Sequence, residues 1–440
     1  MNLLFASDVS IARVIGGAER VLYEETAGLA RRGHGVHILT RRLPGHASGE
    51  AIIDGVREWR YDVRSGNGAS FFLSTLVQAR ARFEQLQGRH AFDLLHFHQP
   101  FTAYAVLRSA VARPVRKLYT CHSLAYQEFI SRNAKPRSIP ARLRYLCEIR
   151  IRRFIEREAL RQSDRIVVLS RFTKELLREA HGIAGERVDI IPGGVDLERF
   201  QPAADKAATR RALGIPGDRF VLLTVRNLVP RMGLENLLEA MTDVVREIPG
   251  VLLVIGGTGP LGEKLRRVVS ERGIANHVLF AGFIPDERLA DYYGMADLFI
   301  LPTVELEGFG LVTLESLASG VPVLGTPVGG TIEILSRLDS NYLFSDPSPD
   351  AMASRIIAKY HSYAARPGLA HDEAKRCRAF VKLYYSWSRR LDTLEALYSE
   401  LRPRAVGPTR RPGETARPRA AAPVAGGEDS RHRIAPGLRR

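Results

Sequence analysis

The chain has 440 residues, of which 45% are hydrophobic and 25% are charged. This composition is typical of a soluble globular protein, and the length favours two domains over a single core. The three cysteines are scattered, which argues against a disulfide framework, and no apolar run reaches the roughly 20 residues that span a bilayer. The start MNLLFASDVS lacks a basic leader, so we expect a cytoplasmic protein.

Two segments supply most of the net charge of +16. Residues 131–162 carry ten basic and three acidic side chains, and residues 401–440 carry ten arginines and three acidic side chains, so each contributes +7. The tail at 401–440 is dense in Arg, Pro, Gly and Ala, which predicts disorder. It has no interleaved aromatic residues, so we expect a solvated tail without a specific nucleic-acid partner.

The first half of the chain alternates strand-like and helix-like segments. Helices are predicted at AERVLYEETAGLARRG and RFTKELLREAHG. The apolar segments predicted as strands are NLLFASDV, VHILT, FDLLHFHQ, RKLYTCH, RIVVLS and VDIIP. Short buried strands that alternate with helices predict a parallel sheet covered on both faces, which we assign to a Rossmann-like domain at 1–200.

Two glycines follow the first predicted strand and begin a helix. Glycine lets backbone N–H groups approach an anion closely, and a helix N-terminus favours negative charge. Gly16 and Gly17 are therefore candidate contacts for a diphosphate, although an ordinary turn would also explain them.

Three histidines lie at the ends of predicted strands. His96 and His98 share one face of a strand and could form a metal pair, but no third ligand is apparent in the sequence. We interpret them as structural or acceptor-side residues. His122 ends RKLYTCH at the edge of the expected cleft, where it can donate or accept hydrogen bonds near neutral pH.

The basic segment 131–162 has apolar residues at helical spacing, bordered by arginines. Such a helix can lie on an anionic membrane surface, which would suit a lipid-linked acceptor. Alternatively, the apolar stripe packs on the sheet and the arginines are solvated. The apolar residues are Leu143, Leu146, Cys147, Ile151, Phe154 and Ile155.

The same alternation resumes after Phe220 and predicts a second Rossmann-like domain at 201–375, with the boundary in the polar stretch 196–219. Its predicted strands are VLLTVRNL, VLLVIGG, HVLFAGF, DLFILPT and PVLGTPV. The loop IGGTGPL lacks a dinucleotide fingerprint, so we expect Gly257 to line a nucleotide base pocket. Gly330 precedes another helix and could offer its N–H to phosphates.

Two carboxylates flank a glycine-rich turn in LPTVELEGFGLVTLESLASG. Glu307 lies in the loop after a predicted strand, and Glu315 lies on the following helix. Ligands of open α/β sheets bind at the carboxyl ends of strands, so both acids are expected to face a crevice.

This segment resembles the Glu-x7-Glu signature of retaining glycosyltransferases with the GT-B fold, and EGFG followed by PVLGTPVGG is similar to family 4. The resemblance covers about residues 1–400. It implies two Rossmann-like domains around a cleft, with a helix at 376–400 that returns to the first domain, where Trp387 and Leu391 would be packing anchors.

The resemblance also implies roles for individual residues. Glu307 would face the donor sugar, Glu315 would hold the nucleotide ribose, and His122, in a TxH pattern, would orient the sugar. The intervening loop would line the donor site through Gly308, Phe309, Gly310 and Leu311.

The chain departs from the family where an Arg and a Lys neutralise the leaving diphosphate. Asn227 and Met232 occupy those positions in LLTVRNLVPRMGLENLL. Arg226 and Arg231, each one position earlier, could supply guanidinium groups instead, although their direction cannot be read from the sequence.

We therefore predict a retaining, metal-independent glycosyltransferase that uses a nucleotide sugar as co-substrate and needs no cofactor. The acceptor would be a glycan, a lipid-linked molecule or a small molecule, and polysaccharide or glycoconjugate biosynthesis is the expected setting. The alternatives are a non-catalytic nucleotide-sugar-binding or scaffold protein and a GT-B hydrolase or epimerase. A Rossmann oxidoreductase fits least, because no dinucleotide fingerprint follows the first strand.

Overall fold

The computed structural model describes residues 1–401 except Ile15, Ala47, Ser65, Asn67 and Ala134. The predicted tail lies outside the described residues, apart from Leu401. The predicted pair of Rossmann-like domains is confirmed, since two separate sheets of mostly parallel strands are each covered by helices.

The first domain is built on an eight-stranded sheet in the order β3-β4-β2-β1-β5-β6-β7-β8. Its strands are β1 (Asn2–Ala6), β2 (Gly35–Arg41), β3 (Glu50–Ile53), β4 (Val56–Tyr61), β5 (Leu94–Phe97), β6 (Arg116–Cys121), β7 (Arg165–Val168) and β8 (Val188–Ile190). Its helices are α1 (Gly17–Arg31), α2 (Gly68–His90), α3 (Pro100–Leu107), α4 (Ala125–Arg132), α5 (Ile139–Gln162) and α6 (Arg171–His181).

The sequence analysis missed the hairpin of β3 and β4. Asp54 and Gly55 join the two strands with φ values of 47° and 82°. Two successive positive φ values define the tight turn whose twist matches that of a hairpin, and Asp-Gly is a preferred sequence for it. The antiparallel β3 extends the otherwise parallel sheet at one edge.

The second domain has a five-stranded parallel sheet in the order β11-β10-β9-β12-β13. The strands are β9 (Phe220–Val225), β10 (Val251–Gly256), β11 (Val278–Gly282), β12 (Leu298–Leu301) and β13 (Val323–Gly325). The helices are α7 (Lys206–Ala212), α8 (Leu234–Glu247), α9 (Gly262–Glu271), α10 (Leu289–Met295), α11 (Leu311–Ala318), α12 (Thr331–Leu338), α13 (Pro349–Ala365) and α14 (Leu369–Tyr384).

The end of the described chain differs from the single helix expected at 376–400. α14 stops at Tyr384, and a separate helix, α15 (Trp387–Leu401), follows. The break arises because the carbonyl of Tyr385 accepts a hydrogen bond from the N–H of Val195 at 2.9 Å, and Ser386 bridges Val195. α14 packs on α11 and α13 of the second domain, and its Arg378 also donates to the carbonyls of Leu197 and Phe200 at the end of the first domain. α15 lies against the first domain, on α1.

The buried side chains form three clusters. One fills the second domain and also takes in Val21, Leu169 and Val195 of the first domain and Trp387 of α15. The other two cover opposite faces of the first sheet. Leu391, Leu394 and Tyr398 of α15 join Leu3 and Phe5 of β1 in one of these clusters. The last helix therefore completes the core of the first domain.

Candidate active site

The centre of the site lies where strand order reverses in the second sheet. β9 and β12 are neighbours there although they are not consecutive in sequence, and such a reversal opens a crevice at the carboxyl ends of the strands. Arg226 directly follows β9, and Thr303 and Glu307 lie in the loop after β12. This topology brings a cation and an anion from distant segments to one point.

Arg226 and Glu307 form an ion pair in this crevice. Nη2 of Arg226 lies 2.5 Å from Oε2 of Glu307 and donates to Oγ1 of Thr303 at 2.8 Å. Leu306 has a φ of 55°, which is unusual for a branched side chain and turns the loop just before Glu307. Nε of Arg226 is buried without a hydrogen-bond partner among the described residues, so the guanidinium keeps unused donor capacity.

The two arginines that the sequence offered as substitutes both lie near Glu307. Nη1 of Arg231 donates to the carbonyl of Leu306 at 3.0 Å. Burial lowers the pKa of Arg231, against the attraction of Glu128 and Glu307. Of the two positions where the family has cations, Asn227 is exposed.

Met232, at the other of these positions, is buried beside Arg226. Its Sδ lies 2.8 Å from Nη2 of Arg226. The guanidinium of Arg226 therefore reaches the surroundings of the missing family lysine from a neighbouring position.

The loop after β12 approaches the first domain closely. A Cβ on Gly308 would lie 2.7 Å from the carbonyl oxygen of His122, and Oγ of Ser170 donates to the carbonyl of Gly308 at 2.6 Å. Phe309 is buried against the core, whereas Gly310, with a φ of 90°, leads into α11. The glycine at 308 is needed because any side chain would collide with the first domain.

Glu315 lies on α11, the helix that follows this loop. The hydroxyl of Tyr293 donates to Oε2 of Glu315 at 2.8 Å. Burial raises the pKa of Glu315, against the hydrogen bond from Tyr293 and the charge of Arg20. Arg20 belongs to α1, so the first domain contributes to the electrostatics around this carboxylate.

Gly257 and Gly330 have structural roles in this conformation, because each contacts neighbouring backbone atoms. Gly257 has a φ of 120°, and a Cβ there would lie 1.9 Å from the carbonyl oxygen of Arg226. The N–H of Gly330 donates to the carbonyl of Glu307 at 2.8 Å, so a phosphate could not receive it without a change. Gly257 thus packs against the backbone of Arg226, and Gly330 bonds the backbone of Glu307.

On the opposite wall, Gly16 and Gly17 form the N-terminus of α1. A Cβ on Gly17 would lie 3.6 Å from Cδ1 of Leu311, so the glycine pair faces the loop of the second domain. The carboxylate of Glu19 lies beside Gly16, since a Cβ on Gly16 would come within 2.9 Å of its Oε2. Burial raises the pKa of Glu19, against the backbone N–H groups of Glu19 and Gly16. A carboxylate of the helix itself therefore lies at this helix end.

His122 follows β6 and belongs to a buried polar group. Its Nε2 lies 3.0 Å from Nδ1 of His98. Burial, together with His98, lowers the pKa of His122 well below its usual range, so the ring is neutral. His98 in turn lies 3.2 Å from Glu25 of α1, which is paired with Arg390 of α15.

Glu25 lies beside His96 and His98 and is the third possible metal ligand, which the sequence analysis did not identify. Ligand atoms of the three residues lie within 4.8 Å of one another. However, Arg390 holds the carboxylate, and the two nitrogens of His96 bond Tyr398 and Thr120. These contacts occupy His96 and one oxygen of Glu25, whereas Oε2 of Glu25 and Nε2 of His98 lie 3.2 Å apart without a hydrogen bond of good geometry among the described residues. The available signal was the position of Glu25, three residues after Leu22 on the apolar face of α1.

The basic helix α5 divides into two parts. Ile155 is buried with the last turns, but the earlier apolar residues are exposed, so most of the stripe does not pack on the sheet. The exposed fractions are 76% for Ile139, 63% for Leu143, 43% for Leu146, 40% for Ile151 and 55% for Phe154. Among the described residues, no helix has the length and apolar character to cross a bilayer.

Comparison with known proteins gives matches along most of the chain. Residues 15–199 match the family described as Glycosyltransferase Family 4, and residues 205–374 match Glycosyl transferases group 1. Among solved structures, sucrose-phosphate synthase from Thermosynechococcus elongatus has a TM-score of 0.73 at 22% identity, covering 91% of this chain and 99% of that one. WaaG, a glycosyltransferase involved in lipopolysaccharide biosynthesis, has a TM-score of 0.69 at 18% identity, covering 90% and 99%. These similarities establish the GT-B fold.

Two curated relatives are informative. The GDP-mannose-dependent alpha-(1-6)-phosphatidylinositol monomannoside mannosyltransferase of Mycolicibacterium smegmatis is 37% identical over 212 residues, which is 46% of this chain and 55% of the relative. The D-inositol 3-phosphate glycosyltransferase of Geodermatophilus obscurus is 27% identical over 422 residues, covering 92% of this chain and 89% of the relative. The match thus spans about half the length of the mannosyltransferase.

Proposed function

The chain belongs to the family 4 glycosyltransferases of the GT-B fold, and from this premise we propose that it transfers a sugar from a nucleoside diphosphate sugar to an acceptor hydroxyl. The observation that carries the proposal is the meeting of Arg226 and Glu307 at the reversal of strand order. A guanidinium and a carboxylate lie there side by side, and we assign the first to the leaving diphosphate and the second to the sugar.

We propose that the anomeric configuration is retained through a front-face reaction. The bond between the anomeric carbon and the diphosphate oxygen breaks, and the acceptor oxygen bonds to the same face of that carbon. The acceptor's proton passes to the departing diphosphate. Arg226 and Arg231 stabilise the growing negative charge, so the reaction needs no metal ion.

The donor site in this proposal follows the roles that the family resemblance implies. Glu315 accepts hydrogen bonds from the ribose, and Glu307 and His122 contact the sugar. Gly16 and Gly17 approach the diphosphate once the carboxylate of Glu19 turns away from the helix end. The guanidinium of Arg226 is held beside Glu307 by its Nη2, so the diphosphate and Glu307 would share one cation.

The names of the relatives suggest the first substrates to test. One group of relatives is named as GDP-mannose-dependent mannosyltransferases of phosphatidylinositol monomannoside. Another group is named as D-inositol 3-phosphate glycosyltransferases. We propose GDP-mannose as the first donor and a lipid-linked or inositol-bearing acceptor, in glycoconjugate or polysaccharide biosynthesis.

We also propose that α5 binds an anionic membrane surface, where a lipid-linked acceptor would be found. Ile139, Leu143, Leu146 and Phe154, together with Arg150 and Arg157, form what we call the α5 stripe. Their helical spacing puts all six on one side of the helix, and all six are exposed. Apolar side chains and cations on one face match the acyl boundary and the headgroups of such a bilayer.

The deciding experiment incubates the chain with GDP-mannose and with UDP, ADP and dTDP sugars, with and without an acceptor. A new glycoside whose anomeric configuration matches the donor supports the proposal. An inverted product excludes retention. Free sugar formed equally fast without an acceptor indicates a hydrolase, and an altered nucleotide sugar indicates an epimerase.

Thermal unfolding with the same nucleotides separates an enzyme from a scaffold. A ligand of the folded state raises the unfolding midpoint by an amount that follows RT ln(1 + [L]/Kd). We expect one nucleotide series to stabilise the wild type and not Glu315→Ala. Stabilisation without any product would favour a binding protein, and no stabilisation by any nucleotide would contradict the donor site.

A further inference from the structure

A line of three polar side chains connects the interior of the first domain to the cleft. Oε2 of Glu25 lies 3.2 Å from Nε2 of His98, and Nδ1 of His98 lies 3.0 Å from Nε2 of His122. Glu25 and His98 are 0% and 2% exposed, and His122 is partly exposed. Only the last member of this line therefore reaches the cleft.

The inner end of the line is an anion. Nε of Arg390 donates to Oε1 of Glu25 at 2.7 Å, which orients the carboxylate so that Oε2 faces His98. Burial opposes ionisation, but Arg390 and His98 outweigh it and hold the pKa of Glu25 well below its usual range. Arg390 also balances this charge, so a second buried cation at His98 would lack a counter-ion.

This arrangement determines which nitrogens carry protons. Nε2 of His98 must bear its hydrogen, because a lone pair there would face a carboxylate. A neutral imidazole has a single N–H, so Nδ1 of His98 is an acceptor. Nε2 of His122 must then donate to it, and Nδ1 of His122 keeps a lone pair. That nitrogen has no hydrogen-bond partner within the described chain.

We infer that Glu25 and His98 are positioning residues that fix His122 in the tautomer whose Nδ1 accepts a hydrogen bond at the cleft. The group opposite it must therefore be a donor, such as a sugar hydroxyl, and a carboxylate there would be repelled. The inference rests on the proposed function only in taking that group to belong to the donor sugar. The accepting Nδ1 of His122 selects donor sugars that place a neutral hydroxyl opposite it over uronic acids or deoxy sugars.

Histidine labelled with nitrogen-15 tests the tautomer in the full chain without any substrate. Couplings between ring nitrogens and ring hydrogens distinguish the two tautomers, and the signals are assigned by their loss in His98→Asn and His122→Asn. We expect the wild type near neutral pH to show His122 protonated on Nε2. Protonation on Nδ1 instead would overturn the inference.

Glu25→Gln is expected to reverse the donor and acceptor roles along the line from residue 25 to His122. Arg390 has only N–H donors, so it retains the amide oxygen at the Oε1 position and leaves the amide NH2 facing His98. His98 then accepts at Nε2 and donates from Nδ1, and His122 becomes protonated on Nδ1. Glu24→Gln, one residue earlier on α1 and outside the line, should leave the tautomer unchanged. An unchanged tautomer in Glu25→Gln would also overturn the inference.

Kinetics then connect the tautomer to the donor sugar. We expect Glu25→Gln to lower kcat/KM for the accepted sugar about tenfold, since one hydrogen bond to the sugar is lost. A donor analogue without the contacted hydroxyl should react equally well with both proteins. If the wild type keeps a higher kcat/KM than Glu25→Gln with every single-deoxy donor analogue, His122 does not select a hydroxyl. Absence of all transfer would instead refute the proposed function and leave the tautomer result standing.

Discussion

Arg226 serves two negative groups in the proposed reaction. It is paired with Glu307, and the leaving diphosphate would need the same guanidinium. The neighbouring Met232 provides no charge, although the family has a lysine there. In the proposed reaction, Arg226 and Arg231 together take the task that an Arg and a Lys share elsewhere in the family.

Arg226→Met is expected to lower kcat by about 10²–10³-fold, the usual cost of removing a donor that stabilises developing charge. The substitution also leaves Glu307 without its partner. Steady-state transfer assays measure the change. Adding Met232→Lys to this variant should recover part of the rate, because Sδ of Met232 lies 2.8 Å from Nη2 of Arg226. If Arg226→Met keeps the wild-type kcat, the guanidinium of Arg226 does not take part in the mechanism.

Individual site residues were predictable to different degrees. Glu307 and Glu315 stood out because acids and glycines fell in register with a strand and a helix. Arg226 and Arg231 were named, but their direction depends on how the two loops fold, which no local pattern encodes. Glu25 was missed because its partners, His98 and Arg390, are distant in sequence. The functional roles of all these residues remain predictions.

At the scale of elements, α5 has its apolar side chains on the outside over much of its length. Periodicity located these residues on one helix but could not tell a buried face from an exposed one, because both follow the same spacing. The hairpin of β3 and β4 shows the opposite case. Its Asp54-Gly55 turn is a local signal that was present in the sequence and was overlooked.

The α5 stripe is expected to bind vesicles that contain anionic lipid. Leu143→Asn combined with Leu146→Asn should weaken binding at least tenfold, because each leucine would contribute about 1.5–3 kcal/mol if fully buried. Co-sedimentation measures the effect, and raising the salt concentration should weaken the wild type as well. Ile52→Asn is the matched control, since Ile52 is exposed on β3. Equal binding to neutral and anionic vesicles would contradict the prediction.

Helix α15 is held to α1 by the buried pair of Arg390 and Glu25. Arg390→Met should destabilise the protein by about 3–5 kcal/mol, because it leaves a buried carboxylate without its counter-ion. Denaturant unfolding near neutral pH measures this difference. Arg389→Met, at an exposed neighbouring position, should have little effect.

The pH dependence of this pair follows from the depressed pKa of Glu25. The usual value is 4.5, so the pair contributes fully at neutral pH, and its contribution is lost as the pH falls below that value through the folded pKa. The stability difference between wild type and Arg390→Met should therefore narrow in acid. A difference that stays constant from neutral pH to well below 4.5 would show that Arg390 acts by packing alone.

At the scale of the whole molecule, the two domains contact each other directly across the cleft. Oγ of Ser170 donates to the carbonyl of Gly308. Glu333 of α12 accepts hydrogen bonds from the N–H groups of Arg171 and Phe172 at 3.0 and 2.9 Å. The pairing of domains was predictable from the restart of the strand pattern. The residues that join them were not, because they lie more than 100 positions apart.

Glu333 is the contact best suited to test whether the domains open and close. α6 keeps its own cap without Glu333, because Oγ of Ser170 accepts from the N–H of Thr173 at 3.1 Å, so Glu333→Ala removes mainly the bond between domains. A lost cap of this kind costs about 1 kcal/mol, enough to shift an open–closed equilibrium about fivefold.

We expect Glu333→Ala to raise the radius of gyration in small-angle X-ray scattering and to weaken nucleotide-sugar binding, since a ligand that touches both walls binds the closed form. A saturating donor should restore the wild-type radius. Glu271→Ala, at an exposed position on α9, provides the control. If Glu333→Ala leaves both the radius and the affinity unchanged, this contact does not govern the approach of the two domains.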